Sequence, residues 1–145
     1  MKLTIMVYLC IVSFTYAETI RANVTAVSAS GNEGAYHFAV TLKSDETGCK
    51  QYANWWEVLS EEGKLLYRRI LVHSHPDTQP FTRSGGSVAI QADEVVYVRA
   101  HMNKLGYVGE VMKGSVSKGF KAVTDFPNFP KNIETQSPLP KGCLY

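Results

Sequence analysis

Apolar and polar residues alternate with a period of two along most of the chain from residue 20 onward, a pattern typical of strands with one buried face. The clearest run places Tyr36, Phe38, Val40 and Leu42 on the same face. Further strands are predicted at "NWWEVL", "KLLYRRILVH", "VAI", "DEVVYVRAHM" and "VGEVMKGSV". Short segments such as "ASGNEG" and "SEEG" separate them as turns. The segment "PDTQPFTRSGGS" is predicted to be a loop, because it contains two prolines and two glycines.

These strands, about seven in number and without a long stretch of helical period, predict an all-β fold, an antiparallel β-sandwich of the immunoglobulin or fibronectin type III kind. Two details favour it: a tryptophan on the strand that would be third, and a segment at 93–97 that resembles the lead-in to a tyrosine corner. Trp55 and Trp56 are adjacent, so in a strand they point to opposite faces. One belongs to the core, and the other is expected under a covering loop or at an exposed recognition surface.

The first 17 residues have the organisation of a secretory signal peptide. Lys2 supplies the positive start, an apolar run extends to Phe14, and Ala17 ends a cleavage site of suitable residues. The run is shorter than the stretch of about 20 apolar residues that a transmembrane helix needs. Cys10 lacks the small residue that precedes a lipidated cysteine. We therefore expect a secreted chain, extracellular or periplasmic, without a membrane anchor.

After cleavage, the expected organisation is a β-sandwich over residues 18–125 and a proline-rich C-terminal tail over residues 126–145. Two cysteines remain, Cys49 and Cys143, and in an oxidising compartment they most simply form one disulfide that pins the tail. Closing a loop of roughly 95 residues would stabilise the fold by about 4–5 kcal/mol through chain entropy. Free thiols or intermolecular pairing are the alternative. Asn23 begins an N-glycosylation acceptor pattern, which has meaning only in a eukaryotic host and at an exposed site.

Composition narrows the class of protein. Hydrophobic residues make up 45% and charged residues 19% of the 145 residues, which indicates a folded domain. The net charge is only +2, with Lys and Arg scattered, so the basic stripe of a nucleic-acid-binding protein is missing. No nucleophile elbow, paired carboxylates or phosphate-binding glycine loop stands out, which favours a binding module over an enzyme. We expect a monomer whose partner is a protein, a glycan or a small molecule.

His73 and His75 in "HSHP" resemble half of the zinc site of the JAMM metallo-isopeptidases. In that family a serine and a zinc-binding aspartate follow at fixed spacing, whereas Arg83 and Gly86 occupy those positions here. The third protein ligand of a catalytic zinc is therefore missing. A different copper or zinc site stays open, formed by the two histidines with His101 on a neighbouring strand. The alternative is that the two histidines end an exposed strand and cap the loop by hydrogen bonds.

Four arginines on or beside the predicted strands are placed to contact carboxylates, and ordinary ion pairs with residues such as Glu57 are the favoured interpretation. They are Arg68, Arg69, Arg83 and Arg99. Arg99 shares a strand face with Tyr97 and His101, which makes that face a candidate polar patch.

Three blocks, "GCKQYANWWEVL", "LLYRRILVHSHPDTQPFTRSGG" and "VYVRAHMNKLGYVGEV", together resemble a family of small secreted proteins of uncharacterised function. The resemblance implies a secreted all-β domain and no particular activity. Because loops on a rigid sandwich commonly carry function, the loop 73–86 and the hairpin 97–107 are candidates for a shared site, with a structural role for both equally open. The candidate ligand-binding residues are His73, His75, Arg83, Tyr97, Arg99, His101 and Tyr107.

Overall fold

A computed structural model describes residues 19–145, which form eight strands in two antiparallel sheets. The predicted signal peptide and Cys10 lie outside these residues. The smaller sheet has the order β1-β2-β5 and the larger sheet β4-β3-β6-β7-β8. The strands are β1 (Ala22–Asn32), β2 (Ala35–Ser44), β3 (Ala53–Ser60), β4 (Leu65–Ile70), β5 (Phe81–Val88), β6 (Val96–Met102), β7 (Val111–Ser115) and β8 (Gly119–Val123). The all-β sandwich is confirmed, while its assignment to the immunoglobulin or fibronectin type III kind stays a prediction.

The core lies between the two sheets and contains the alternating residues of β2. Phe38, Val40 and Leu42 are fully buried there, as the period of two predicts. Trp56 of β3 joins them, whereas Trp55 points to the opposite face of the larger sheet. Every residue of β3 is buried, so this strand is covered on both faces.

Residues 81–88 form strand β5, so the prediction of a loop through "FTRSGGS" is wrong. Its two glycines serve close packing between neighbouring chain segments. A Cβ on Gly85 would lie 2.5 Å from the hydroxyl of Tyr67, and one on Gly86 would lie 2.8 Å from the carbonyl oxygen of Tyr36. The predicted strand "VAI" contributes only its first residue, the last of β5.

The boundaries of other strands also differ from prediction. The run "KLLYRRILVH" leaves the sheet after Ile70, because the chain then turns away through 71–80. A second strand follows β7, and β7 and β8 form a hairpin at the edge of the larger sheet. β8 was not predicted, because most of its residues are exposed or half-buried and leave no clear alternation.

The C-terminal residues 126–145, here called the C-terminal strap, cover the outer face of the larger sheet. Phe129 packs against Tyr97 with ring centroids 5.3 Å apart, and Ile133 in the 3-10 helix Lys131–Thr135 is buried. The strap then passes the edge strand β4 and ends beside residues 72–74, with two backbone hydrogen bonds. The predicted disulfide Cys49–Cys143 is confirmed and fixes this end.

Candidate functional site

A buried ion-pair cluster occupies the centre of the outer face of the larger sheet. Glu57 of β3 is 0% exposed and lies between its register partners Arg68 of β4 and Arg99 of β6. Arg68 donates from Nε to Oε2 of Glu57 and Arg99 donates from Nε to Oε1, each at 2.8 Å. Both arginines are themselves buried. The sequence-based preference for ordinary ion pairs is therefore confirmed for Arg68 and Arg99, and the cluster holds two positive charges against one negative charge.

The C-terminal strap accepts most of the other hydrogen bonds of the Arg68 guanidinium, and Nη2 also donates to the hydroxyl oxygen of Tyr107 at 3.5 Å. Nη1 donates to the carbonyl oxygens of Gln136 at 2.6 Å and Pro138 at 3.2 Å. Nη2 donates to the carbonyl oxygen of Ile133 at 2.7 Å. The guanidinium also lies 4.4 Å from the centroid of the Trp55 ring. Arg68 thus joins the strap to the sheet.

Arg99 has a different environment. Its guanidinium lies 3.4 Å from the ring centroid of Tyr107 and 4.7 Å from that of Phe129, so two aromatic rings hold it in place. The side chain donates one hydrogen bond to the described part of the chain, from Nε to Glu57. Its two Nη groups have no acceptor among residues 19–145. Although Arg99 is only 7% exposed, it lines an open groove.

This groove, here called the Arg99 groove, has a volume of about 870 Å³ and lies between the turn after β6 and the beginning of the C-terminal strap. Three cationic side chains and one carboxylate contribute to its lining, together with aromatic and apolar groups. A cavity of about 30 Å³ shares part of this lining and continues toward residues 108–111. The groove is lined by Arg99, Lys104, Leu105, Gly106, Tyr107, Phe126, Pro127, Asn128, Phe129, Lys131 and Glu134.

His101 supports the wall of the groove from behind. Its Nε2 lies 2.7 Å from Oε1 of Glu134, and its Nδ1 lies 2.7 Å from Oδ1 of Asn54. The ring stacks on Trp55 with centroids 3.6 Å apart, which leaves that tryptophan only 3% exposed. Burial lowers the pKa of His101, although the hydrogen bond to Glu134 opposes the shift. Burial also raises the pKa of the Tyr107 hydroxyl to about 12, with Glu57 adding to the effect.

A second cluster surrounds His75 in the loop 71–80. Its backbone N–H donates to the buried carboxylate of Glu46, and its Nε2 lies 2.6 Å from a guanidinium nitrogen of Arg83. The ring stacks on Phe81 with centroids 3.9 Å apart. Burial, followed by the nearby positive charge of Arg83, lowers the pKa of His75. The neighbouring His73 stacks instead on the ring of Tyr145 at the end of the strap.

The predicted site residues therefore divide into two groups. Arg99 and Tyr107 line the Arg99 groove, while His101 and Tyr97 contact its wall residues Glu134 and Phe129. His73, His75 and Arg83 belong to the second cluster or its surroundings.

The structure also corrects the idea of a shared copper or zinc site. Within residues 19–145, no group of three or more His, Cys, Asp or Glu side chains is arranged to hold a metal ion. His73, His75 and His101 do not converge, because each ring stacks on a different aromatic partner.

Sequence reasoning missed the residues that the strap contributes to the groove. Phe126, Phe129, Lys131 and Glu134 lie in the segment that the sequence predicts to be a proline-rich tail. Two phenylalanines so close together in a proline-rich segment are the available signal, because aromatic side chains in a folded protein usually pack against something. At the predicted glycosylation position, Asn23 accepts a hydrogen bond at Oδ1 from the backbone of Glu110, and its glycosylation stays a prediction.

Comparison with known proteins identifies one relative by sequence. Over 97 residues, 67% of this chain, the sequence is 40% identical to a protein of Halomicrobium mukohataei named "Putative lipoprotein". The aligned region covers 47% of that protein, so the chain spans about half the length of its relative. No known protein family and no solved structure matches the chain. No helix in the described residues is long and apolar enough to cross a membrane.

Proposed function

We propose that this protein is an extracytoplasmic β-sandwich module that binds a ligand in the Arg99 groove. The location is supported by the predicted signal peptide, by the disulfide Cys49–Cys143 and by the name of the relative, which is a lipoprotein name. The word lipoprotein belongs to the name of that relative, and the proposal for this chain does not include a lipid anchor.

The observation that carries the proposal is the construction of the groove on a fixed base. Arg99 is held by Glu57 at one edge and by the rings of Tyr107 and Phe129 on its faces. A groove that combines aromatic surface with a few positioned polar groups has the usual character of a ligand site. Side chains locked by neighbours keep such a site in its binding geometry before the ligand arrives.

The volume of the groove is sufficient for a small ligand. About 870 Å³ lies within the range of roughly 300–1,000 Å³ that ligand pockets occupy. The groove also contains two of the seven residues that the sequence predicts for the site, Arg99 and Tyr107. Among residues 19–145, the histidines form no cluster that would favour copper or zinc as the ligand.

A fragment screen by NMR tests the proposal. The 15N-labelled protein is mixed with a library of small aromatic and polar compounds, and amide shifts are mapped onto the chain. We expect hits to shift amides of residues 104–107 and 126–134. Leu105 and Phe126 are exposed side chains of the groove, so Leu105→Ser and Phe126→Ser should weaken these hits without unfolding the protein.

The matched control is Val72→Ser, because Val72 is also an exposed apolar residue but lies outside the groove. It should leave every hit unchanged. Hits that cluster on another surface, or that persist in the groove variants at full strength, would show that the Arg99 groove is not the binding site.

A further inference from the structure

We infer that the Arg99 groove recognises the oxyanion of a small organic acid, a carboxylate or phosphate group carried on an apolar or aromatic body. This inference rests on the proposed function and specifies the class of ligand. It follows from the different surroundings of the two arginines that share Glu57.

Of the two arginines in the buried cluster, only Arg99 lines the groove. Glu57 compensates one of the two arginines, and the guanidinium of Arg68 donates its other hydrogen bonds to three carbonyl oxygens of the strap and, at 3.5 Å, to the hydroxyl oxygen of Tyr107. Arg99 receives no such partners from residues 19–145 beyond Glu57. The Nη edge of Arg99 therefore presents donors and uncompensated charge to the groove, and this edge matches two oxygens of one oxyanion.

The partial burial of Arg99 makes an anion at this position more favourable than at an exposed arginine. The side chain is 8% exposed, so little water screens the charge. Its orientation is fixed by Glu57 and by two aromatic rings, which reduces the conformational entropy that binding would otherwise cost.

The other charged side chains of the groove are two lysines and one glutamate. Lys104 and Lys131 line it as exposed ammonium groups. The one carboxylate of the lining, Glu134, is hydrogen-bonded to His101 at 2.7 Å, so the lining holds three cationic side chains against one anionic side chain. The summed field of the lining therefore attracts an anion.

The aromatic residues of the groove favour an apolar or aromatic body next to the acid group of the ligand. Tyr107, Phe126 and Phe129 line the groove beside Arg99, and Phe126 is partly exposed. Such rings bury apolar surface efficiently, so a bare inorganic anion would leave most of this lining unused. An acid group on an aromatic or aliphatic body satisfies both halves of the groove.

The test compares three probes of similar size: benzoate, phenyl phosphate and benzyl alcohol. Each is titrated into the 15N-labelled protein at low ionic strength, and dissociation constants are taken from amides of residues 104–107 and 126–134. We expect at least one of the two anions to bind roughly tenfold or more tightly than the neutral alcohol, the discrimination expected of a charge-assisted hydrogen bond. Which of the two anions binds better distinguishes a carboxylate ligand from a phosphate ligand. Raising the salt concentration should weaken the anions and leave the alcohol unchanged.

Variants assign the effect to named residues. Arg99→Gln should remove the preference for the anion. The double variant Lys104→Gln/Lys131→Gln should reduce it by a smaller factor, and it changes only exposed side chains, so it remains informative if Arg99→Gln fails to fold. The control is Lys118→Gln, an exposed lysine outside the groove, which should retain the wild-type affinities.

The outcomes separate this inference from the proposed function. If benzyl alcohol shifts the groove amides as strongly as the anions do, the groove binds ligands but oxyanion recognition is wrong. If the anions bind and the lysine and arginine variants retain full affinity, the inference is also wrong. If none of the three probes binds, it fails as well, and the fragment screen decides the proposed function independently.

Discussion

Arg68 and Arg99 donate hydrogen bonds from their Nε atoms to opposite oxygens of one buried carboxylate, each at 2.8 Å. Their contacts with Glu57 are not identical, because Nη2 of Arg68 also lies 2.7 Å from Oε2, and their other partners differ more. Arg68 donates most of its other hydrogen bonds to the C-terminal strap, whereas Arg99 lines the groove. The same ion-pair cluster therefore fixes the strap on one side and positions a candidate ligand-binding group on the other.

Loss of the central carboxylate should strongly destabilise the protein. Glu57→Gln would leave two buried guanidinium groups without a counter-charge, and breaking a buried pair costs about 3–5 kcal/mol. Urea denaturation followed by tryptophan fluorescence measures this change in the free energy of unfolding. Glu61→Gln is the control, because it breaks the exposed pair with Lys113 and should leave the midpoint unchanged. Equal effects of the two substitutions would contradict the assigned role of Glu57.

Arg68→Gln should release the strap locally. Its three carbonyl partners in the strap lose their donor, so backbone amides of residues 131–138 should exchange hydrogen faster than in the parent protein. Exchange measured by mass spectrometry reports this segment directly. The control is Arg69→Gln, whose guanidinium bonds the carbonyls of Ser84 and Ile70 instead of the strap. Unchanged exchange in the Arg68 variant would show that the strap is held by other contacts.

Removal of the disulfide should lower stability by an amount set by the length of the closed loop. The cysteines are 94 residues apart, and chain entropy gives a loss of about 4–5 kcal/mol for the double variant Cys49→Ser/Cys143→Ser. Thermal and urea unfolding both measure it. Because Arg68 still binds the strap, residues 142–145 should exchange faster while residues 131–138 remain protected. A loss of stability below about 1 kcal/mol would contradict the chain-entropy argument.

Acidification should destabilise the protein through His75 and His101. Burial lowers the pKa of both rings below the ordinary histidine value of about 6.5, so the unfolded chain binds more protons than the folded chain as the pH falls below that value. The free energy of unfolding should therefore be highest above pH 6.5 and should fall as the pH drops from 7.5 to 5.5. Replacing both histidines with glutamine should flatten this dependence. An unchanged slope in the double variant would assign the pH effect to other groups.

The sequence was sufficient for the features that depend on local pattern. The alternation at 36–42 predicts β2 and its buried face, the adjacent tryptophans predict side chains on opposite faces of β3, and two cysteines predict the disulfide. The sequence was insufficient for β5. In a sequence, Gly85 and Gly86 indicate a turn, whereas in the structure these positions are glycine because distant side chains and backbone pack closely against them. Such contacts join residues far apart in the chain and leave no local period.

The sequence predicts one wall of the groove, formed by β6 and the turn after it, and does not predict the wall formed by the strap. Alternation places Arg99 on one face of its strand with Tyr97 and His101, whereas Tyr107 lies after the turn and is predicted only as part of the hairpin 97–107. The opposite wall comes from the strap, and its position depends on Arg68 and on the disulfide. Tertiary contacts decide the position of a proline-rich segment that has no regular alternation. A pattern along the chain does not contain those contacts.

The most direct measurement of the central claim observes the two arginines of the cluster together. With 15N-labelled arginine side chains, NMR resolves the guanidinium signals of Arg68 and Arg99 during a titration with benzoate and with phenyl phosphate. The account predicts that one or both anions shift the Arg99 signal in a saturable way, while the signal of Arg68, whose donors are taken by Glu57, the strap and the Tyr107 hydroxyl, shifts much less. Saturable binding that shifts neither signal, or that shifts Arg68 as much as Arg99, would contradict it.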